Sequence, residues 1–150
     1  MEIYLVRHPT PAVEKGICYG QTDLGLTDSF KEKVESLKLI LSKEYDVVVT
    51  SPLNRCARLA KEFSSKPKED KRLMEMNFGE WEMKKWNDIP FNQLNNWMAD
   101  FTNVTPPSAE PFSSFTERVI NFYLEILDHS FERVLLITHA GVIRVILAKI

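Results

Sequence analysis

The sequence predicts an α/β fold: a three-layer α/β/α sandwich around a mainly parallel sheet. Two observations carry this. Three short runs of β-formers, Ile3–Val6, Tyr45–Thr50 and Val134–Thr138, are each too brief and too branched to be helices. Between and after them lie segments with apolar residues at helical spacing, the alternation that builds layered α/β domains.

The first run stops at Arg7-His8, where Pro9 and Pro11 forbid helical continuation. A long loop follows through residue 26, holding Gly16, Gly20 and Gly25; loops of this length are usually functional. A helix is expected next, capped by Thr27 or Ser29, with Ser29 and Glu32 spaced as a capping box. Phe30, Val34, Leu37 and Leu41 would form its buried face. After Tyr45–Thr50, Ser51-Pro52 reads as a cap with proline at the first helical position, and Leu53, Cys56, Leu59, Ala60 and Phe63 can face the core. Residues 64–72 are polar and lysine-rich, as in a solvated connection, and Leu73–Phe78 is expected to be a short edge strand.

Residues 79–111 interleave Trp81, Trp86, Phe91, Trp97 and Phe101 with polar residues. Short helices are expected over 82–88 and 91–100. Ser114 and Glu117 form a second capping box before the stripe Phe115, Val119, Phe122 and Ile126. The third core strand ends at His139, and Ala140-Gly141 opens an apolar helix to Ile150. His129, beside Asp128 near a helix end, reads as a surface residue.

One domain over residues 1–150 fits the length. The chain is 44% hydrophobic and 27% charged, with a formal net charge of −2. Nothing in that balance suggests a nucleic-acid or anionic-membrane partner. The apolar runs are too short to span a bilayer, and no signal peptide is visible. Cys18 and Cys56 make neither a disulfide framework nor a zinc pattern, which suits reduced thiols and a cytoplasmic location.

Right-handed crossovers would bring the three strand ends to one edge of the sheet. Arg7 and His8, Ser51 to Arg55, and His139 would meet there. Guanidinium forks and helix starts both suit a phosphoryl group. No Walker-type glycine loop and no clear carboxylate cluster for magnesium is present. A cysteine nucleophile would want an arginine six positions later, yet those positions hold Leu24 and Glu62. An imidazole nucleophile is left, held neutral by neighbouring cations.

Four stretches, in order, resemble the histidine phosphatase superfamily, which includes the cofactor-dependent phosphoglycerate mutases. They are Leu5-Val6-Arg7-His8, Ser51-Pro52-Leu53-Asn54-Arg55, Leu73-Met74-Glu75 through Gly79-Glu80-Trp81-Glu82, and Thr138-His139-Ala140-Gly141. Within the family, Cys18–Asp23 and Arg55–Ala60 look most like the alpha-ribazole phosphatase group, which removes a 5′-phosphate in late cobalamin assembly. The resemblance implies a phosphoglycerate mutase-like fold and a phosphomonoester hydrolase that needs no metal and no cofactor. A small phosphorylated metabolite would be its substrate. Alternatives are a mutase or broad-specificity phosphatase of the same family, or a phospho-ligand-binding module without turnover.

By that resemblance His8 is the nucleophile that becomes phosphorylated. Arg7, Arg55 and His139 form the phosphate pocket, assisted by backbone N–H groups near Ala140 and Gly141. Glu75 corresponds to the general acid, with Glu80 and Glu82 as rivals. Tyr19 and Gly20 align with the substrate-side loop, and the tryptophans of 81–97, more often packing, are candidates to wall an aromatic leaving group. Two departures stand out. Pro9 replaces the family's glycine, and the downstream asparagine falls near Glu14, so Thr10 is a candidate replacement contact. Family members usually continue past the last motif with a strand and helix; without them, an exposed sheet edge is expected to favour a homodimer.

Overall fold

A computed structural model describes residues 1–41 and 44–150. Its order is β1 (Glu2–Arg7), α1 (Phe30–Ile40), β2 (Val47–Thr50), α2 (Asn54–Ala60), β3 (Lys68–Glu69), α3 (Phe91–Ala99), α4 (Phe112–Leu127), β4 (Arg133–Thr138) and α5 (Ala140–Lys149). The sheet has the order β1-β4-β2-β3, and every pairing is parallel.

Strand periodicity divides the core. Val47, Val49, Val134 and Leu136 point to one face, where they pack with the α4 stripe Phe115, Val119, Phe122 and Ile126 and with Val142, Val145 and Ile146 of α5. Val6, Val48, Leu135 and Ile137 point to the other, against Val34 and Leu41 of the α1 segment and Cys56, Leu59 and Ala60 of α2. These two apolar layers give the expected sandwich. A satellite cluster of Cys18, Trp81 and Ile89, flanked by Phe78, Trp86, Leu94 and Trp97, ties the early loop to the tryptophan-rich region.

Several local expectations are corrected. Leu73–Phe78 is no strand: Leu73 closes a 3₁₀ turn over Lys71–Leu73, and the edge strand is Lys68–Glu69, paired with Val49 and Thr50. Residues 82–88 are no α-helix, because Met83 has φ of 66° and the segment holds a single 3₁₀ turn, Trp86–Asp88. Helix α2 starts at Asn54 rather than Pro52. Its first N–H is met by Asp23 Oδ1 at 2.7 Å, and Ser51 Oγ instead accepts from Leu53 N–H at 3.3 Å. Neither capping box forms: Ser29 makes no side-chain cap, and Ser114 lies inside α4. Arg72 is not simply solvated, since it binds Asp70 at 2.7 Å and Glu125 of α4 at 2.6 Å.

Candidate active site

Register builds the site. β1 and β4 are paired with Arg7 opposite Thr138, so His8 and His139 emerge side by side, their ring centroids 5.0 Å apart. His8 N–H donates to the Thr138 carbonyl at 3.0 Å, and Ser51 N–H donates to the Ile137 carbonyl at 3.0 Å. The strand ends therefore place Arg7, His8, Ser51 and His139 at one edge, with Arg55 in the first turn of α2. His8, Ser51, Arg55 and His139 are buried, whereas Arg7 is exposed.

The His8 ring lies 2.7 Å, through Nδ1, from the carbonyl oxygen of Pro9. A carbonyl only accepts, so Nδ1 carries the hydrogen and Nε2 presents its lone pair. Burial is the main reason its pKa falls to about 4; the Pro9 hydrogen bond opposes this, and Arg55 and Arg7 add to the depression. His139 stands at the N-cap position of α5 without a side-chain cap bond, and meets Ser51 Oγ through Nε2 at 2.8 Å. Burial, with Arg55 and His8 beside it, lowers its pKa to about 2. Both imidazoles are thus neutral at physiological pH.

Arg55 sits under the Tyr19 ring, 5.4 Å from its centroid. Its Nη1 donates to the Thr22 carbonyl at 2.9 Å and its Nη2 to the Gly20 carbonyl at 2.5 Å. Its Nε is buried without a partner, so a donor is left over for an anion.

Glu75 follows the 3₁₀ turn over Lys71–Leu73, held by Thr138 Oγ1 donating to the Leu73 carbonyl at 2.7 Å. Its Oε1 accepts from Met76 N–H and its Oε2 from Gly141 N–H, each at 3.1 Å. Gly141 N–H is thus committed to Glu75. The rival acids differ. Glu80 is exposed and accepts from Ser108. Glu82 accepts from the N–H groups of Gln21, Thr22 and Phe78 and from the Thr22 hydroxyl. Burial works to raise its pKa, but those hydrogen bonds prevail and hold it below the usual range. The thiols are no better placed as nucleophiles. Both are buried and free, and burial pushes them up, Cys18 to about 12.

Two cavities flank Tyr19. The smaller, about 250 Å³, is lined by Arg7, His8, Pro9, Thr10, Pro11, Tyr19 and Lys33. The larger, about 610 Å³, has Glu75 and Gly141 at its inner wall beside Phe78, Trp97, Phe112 and Phe115. Of the three tryptophans only Trp97 reaches it; Trp81 is a core residue.

Two residues had no sequence signal. Lys33 is on the exposed face of α1, and only folding brings it to the His8 cavity. Arg118 of α4 donates to the carbonyls of Arg72, Met74 and Glu75 and to both oxygens of Glu110. An arginine following Glu110 by eight residues carries no periodic mark that would have revealed this.

The family model of the histidine phosphatase superfamily (branch 1) matches residues 3–150, and the chain belongs to that superfamily. Among curated relatives, the adenosylcobalamin/alpha-ribazole phosphatase of Salmonella typhimurium is 31% identical over 160 residues, covering 100% of this chain and 79% of the relative. The alpha-ribazole phosphatase structure from Shigella flexneri superimposes with a TM-score of 0.91 at 26% identity, over 99% of this chain and 79% of that one. The phosphoglycerate mutase structure from Thermus thermophilus gives 0.81 at 32% identity, over 99% and 83%. The phosphoglycerate mutase-like fold is therefore established. Among the described residues no helix is long and apolar enough to cross a membrane.

Proposed function

We propose that the chain hydrolyses a phosphomonoester through a phosphohistidine at His8, with alpha-ribazole 5′-phosphate as the substrate. Superfamily membership and the alpha-ribazole phosphatase relatives indicate a phosphatase, a hydrolase of phosphate esters. The observation that carries the mechanism is the Pro9 carbonyl on His8 Nδ1, which leaves Nε2 as an unprotonated nucleophile. Arg7, Thr10 and Lys33 line the His8 cavity, and in this reading the unpartnered Nε of Arg55, His139 and the start of α5 at Ala140 complete the phosphate pocket. These groups stabilise the equatorial oxygens as charge spreads in the transition state.

The Nε2 lone pair forms the N–P bond as the ester P–O bond breaks. Glu75 serves as the general acid, giving a proton to the departing alkoxide. Water then attacks the phosphohistidine, losing a proton to the Glu75 carboxylate. The N–P bond breaks, phosphate leaves, and His8 is restored.

The large aromatic cavity behind Glu75 favours a bulky planar leaving group over a three-carbon one. A phosphoglycerate mutase reading draws on the Thermus thermophilus structure; it predicts phosphoryl transfer to a second acceptor rather than to water. A metal-free assay decides among these. With chelator present, the wild type is expected to release phosphate from alpha-ribazole phosphate and to trap an acid-labile phosphoenzyme that His8→Ala lacks. Full activity in His8→Ala, or turnover of phosphoglycerate alone, would reject the reading.

A further inference from the structure

One peptide group joins two side chains of opposite charge. The carbonyl of the Gly20–Gln21 peptide accepts from Arg55 Nη2 at 2.5 Å, and the N–H of that same peptide donates to Glu82 Oε1 at 2.9 Å. Thr22 adds contacts to the same two side chains through its two flanking peptide groups: its N–H donates to Glu82 Oε2 at 2.7 Å and its carbonyl accepts from Arg55 Nη1 at 2.9 Å. The Thr22 hydroxyl also binds Glu82. The loop is thus held between a carboxylate on its N–H side and a guanidinium on its C=O side. Hydrogen bonds in series polarise one another, so each end strengthens the other.

The approach leaves no room for a side chain at Gly20. A Cβ on Gly20 would lie 1.9 Å from the Met76 carbonyl oxygen and 2.9 Å from Glu82 Oε1. Glu82 also accepts from Phe78 N–H at 3.0 Å, and Gln21 Nε2 donates to the Glu75 carbonyl at 3.1 Å. The same carboxylate therefore ties the Arg55 loop to the segment that carries Glu75.

We propose that Glu82 is a positioning residue for the phosphate site: through the Gly20–Thr22 backbone it fixes the Arg55 guanidinium and leaves its remaining donors for the phosphoryl oxygens. The inference rests on reading Arg55 as a phosphate ligand. Glu82 touches no substrate. Four donors converge on its two oxygens, so an amide in its place sets a donor against a donor.

The test measures inhibition and binding by inorganic phosphate for the wild type, Glu82→Gln, Arg55→Lys and the double variant. Glu82→Gln is expected to weaken phosphate and raise KM by about tenfold, the scale of one charge-assisted hydrogen bond, with kcat less affected. The double variant should bind phosphate no worse than Arg55→Lys, because residues acting through one network are not additive. A merely structural role would multiply the two losses. Unchanged phosphate affinity in Glu82→Gln, or additive losses, overturns the proposal. Should Glu82→Gln fail to fold, Thr22→Val removes one of the four donors. A several-fold loss that disappears in the Arg55→Lys background supports the proposal, and no loss overturns it. A wild type that neither binds phosphate nor hydrolyses esters would overturn the functional reading itself.

Discussion

The carboxylate of Glu75 rests on the backbone of Gly141, accepting its N–H at 3.1 Å where a Cβ would stand 2.2 Å from Oε1. The absent side chain on α5 is what lets the acid reach its place. Gly141→Ala must push the carboxylate aside while leaving a helix-compatible residue in α5. Displacing a catalytic group by about 1 Å costs on the order of a hundredfold in rate. We expect kcat on a phosphate ester to fall by roughly that factor, with a modest drop in melting temperature because the methyl also presses on the core ring of Phe115, 3.1 Å away. Near-normal turnover would show that Glu75 does not act from this position.

The buried histidines make stability fall in acid. His8 is held at about 4 and His139 at about 2, both below the ordinary imidazole value. Between roughly pH 6.5 and 4 the unfolded chain binds protons at both positions that the native chain refuses. Stability therefore drops as pH falls through that window, by up to about 1.4 kcal/mol per pH unit for each histidine. Urea unfolding at several pH values checks this. His8→Gln is expected to flatten the slope by the share of one proton; parallel curves would contradict the burial argument.

Arg118 and Glu110 are the support under the Glu75 segment. Their side chains are only 20% and 16% exposed, and Arg118 also holds three backbone carbonyls around Glu75. Removing one partner of such a pair strands the other, at a cost of about 3 kcal/mol. Arg118→Met is expected to lose about that much stability, and the added Glu110→Leu change to restore part of it. Activity should fall in both variants, since neither restores the donor to the Glu75 carbonyl. Chemical denaturation alongside kinetics separates the two effects.

The sequence reveals most where one period dominates. Strands β1, β2 and β4 and the stripe of α4 each repeat an apolar signal with few interruptions, and Arg7, His8, Ser51 and His139 fall at the ends of the three strands. Leu73–Phe78 misled because an apolar run carries no record of neighbouring strands, and β2 is paired instead by Lys68 and Glu69. Ser51 resembled a helix cap, yet its hydroxyl serves His139. Glu82 was legible as a rival acid to Glu75 but not as the acceptor for the Gln21 and Thr22 N–H groups, since those contacts join distant segments. Lys33 and Arg118 lay outside every motif for the same reason.

The aromatic cavity can be tested at its rim. Phe101 lines it, is 44% exposed, and packs on Trp97 at 6.3 Å and Phe112 at 5.0 Å. Its loss should disturb the fold little, because it lies outside the clustered core residues. An aromatic contact contributes about 0.5–1.5 kcal/mol beyond area burial. Phe101→Ala should therefore raise KM for alpha-ribazole phosphate roughly two- to twelvefold. Phosphoglycerate, which is too small to span the cavity, should respond little. The ratio of the two kcat/KM values reads out the difference independently of enzyme concentration. Equal losses on both esters would place the leaving group somewhere other than against Trp97 and Phe112.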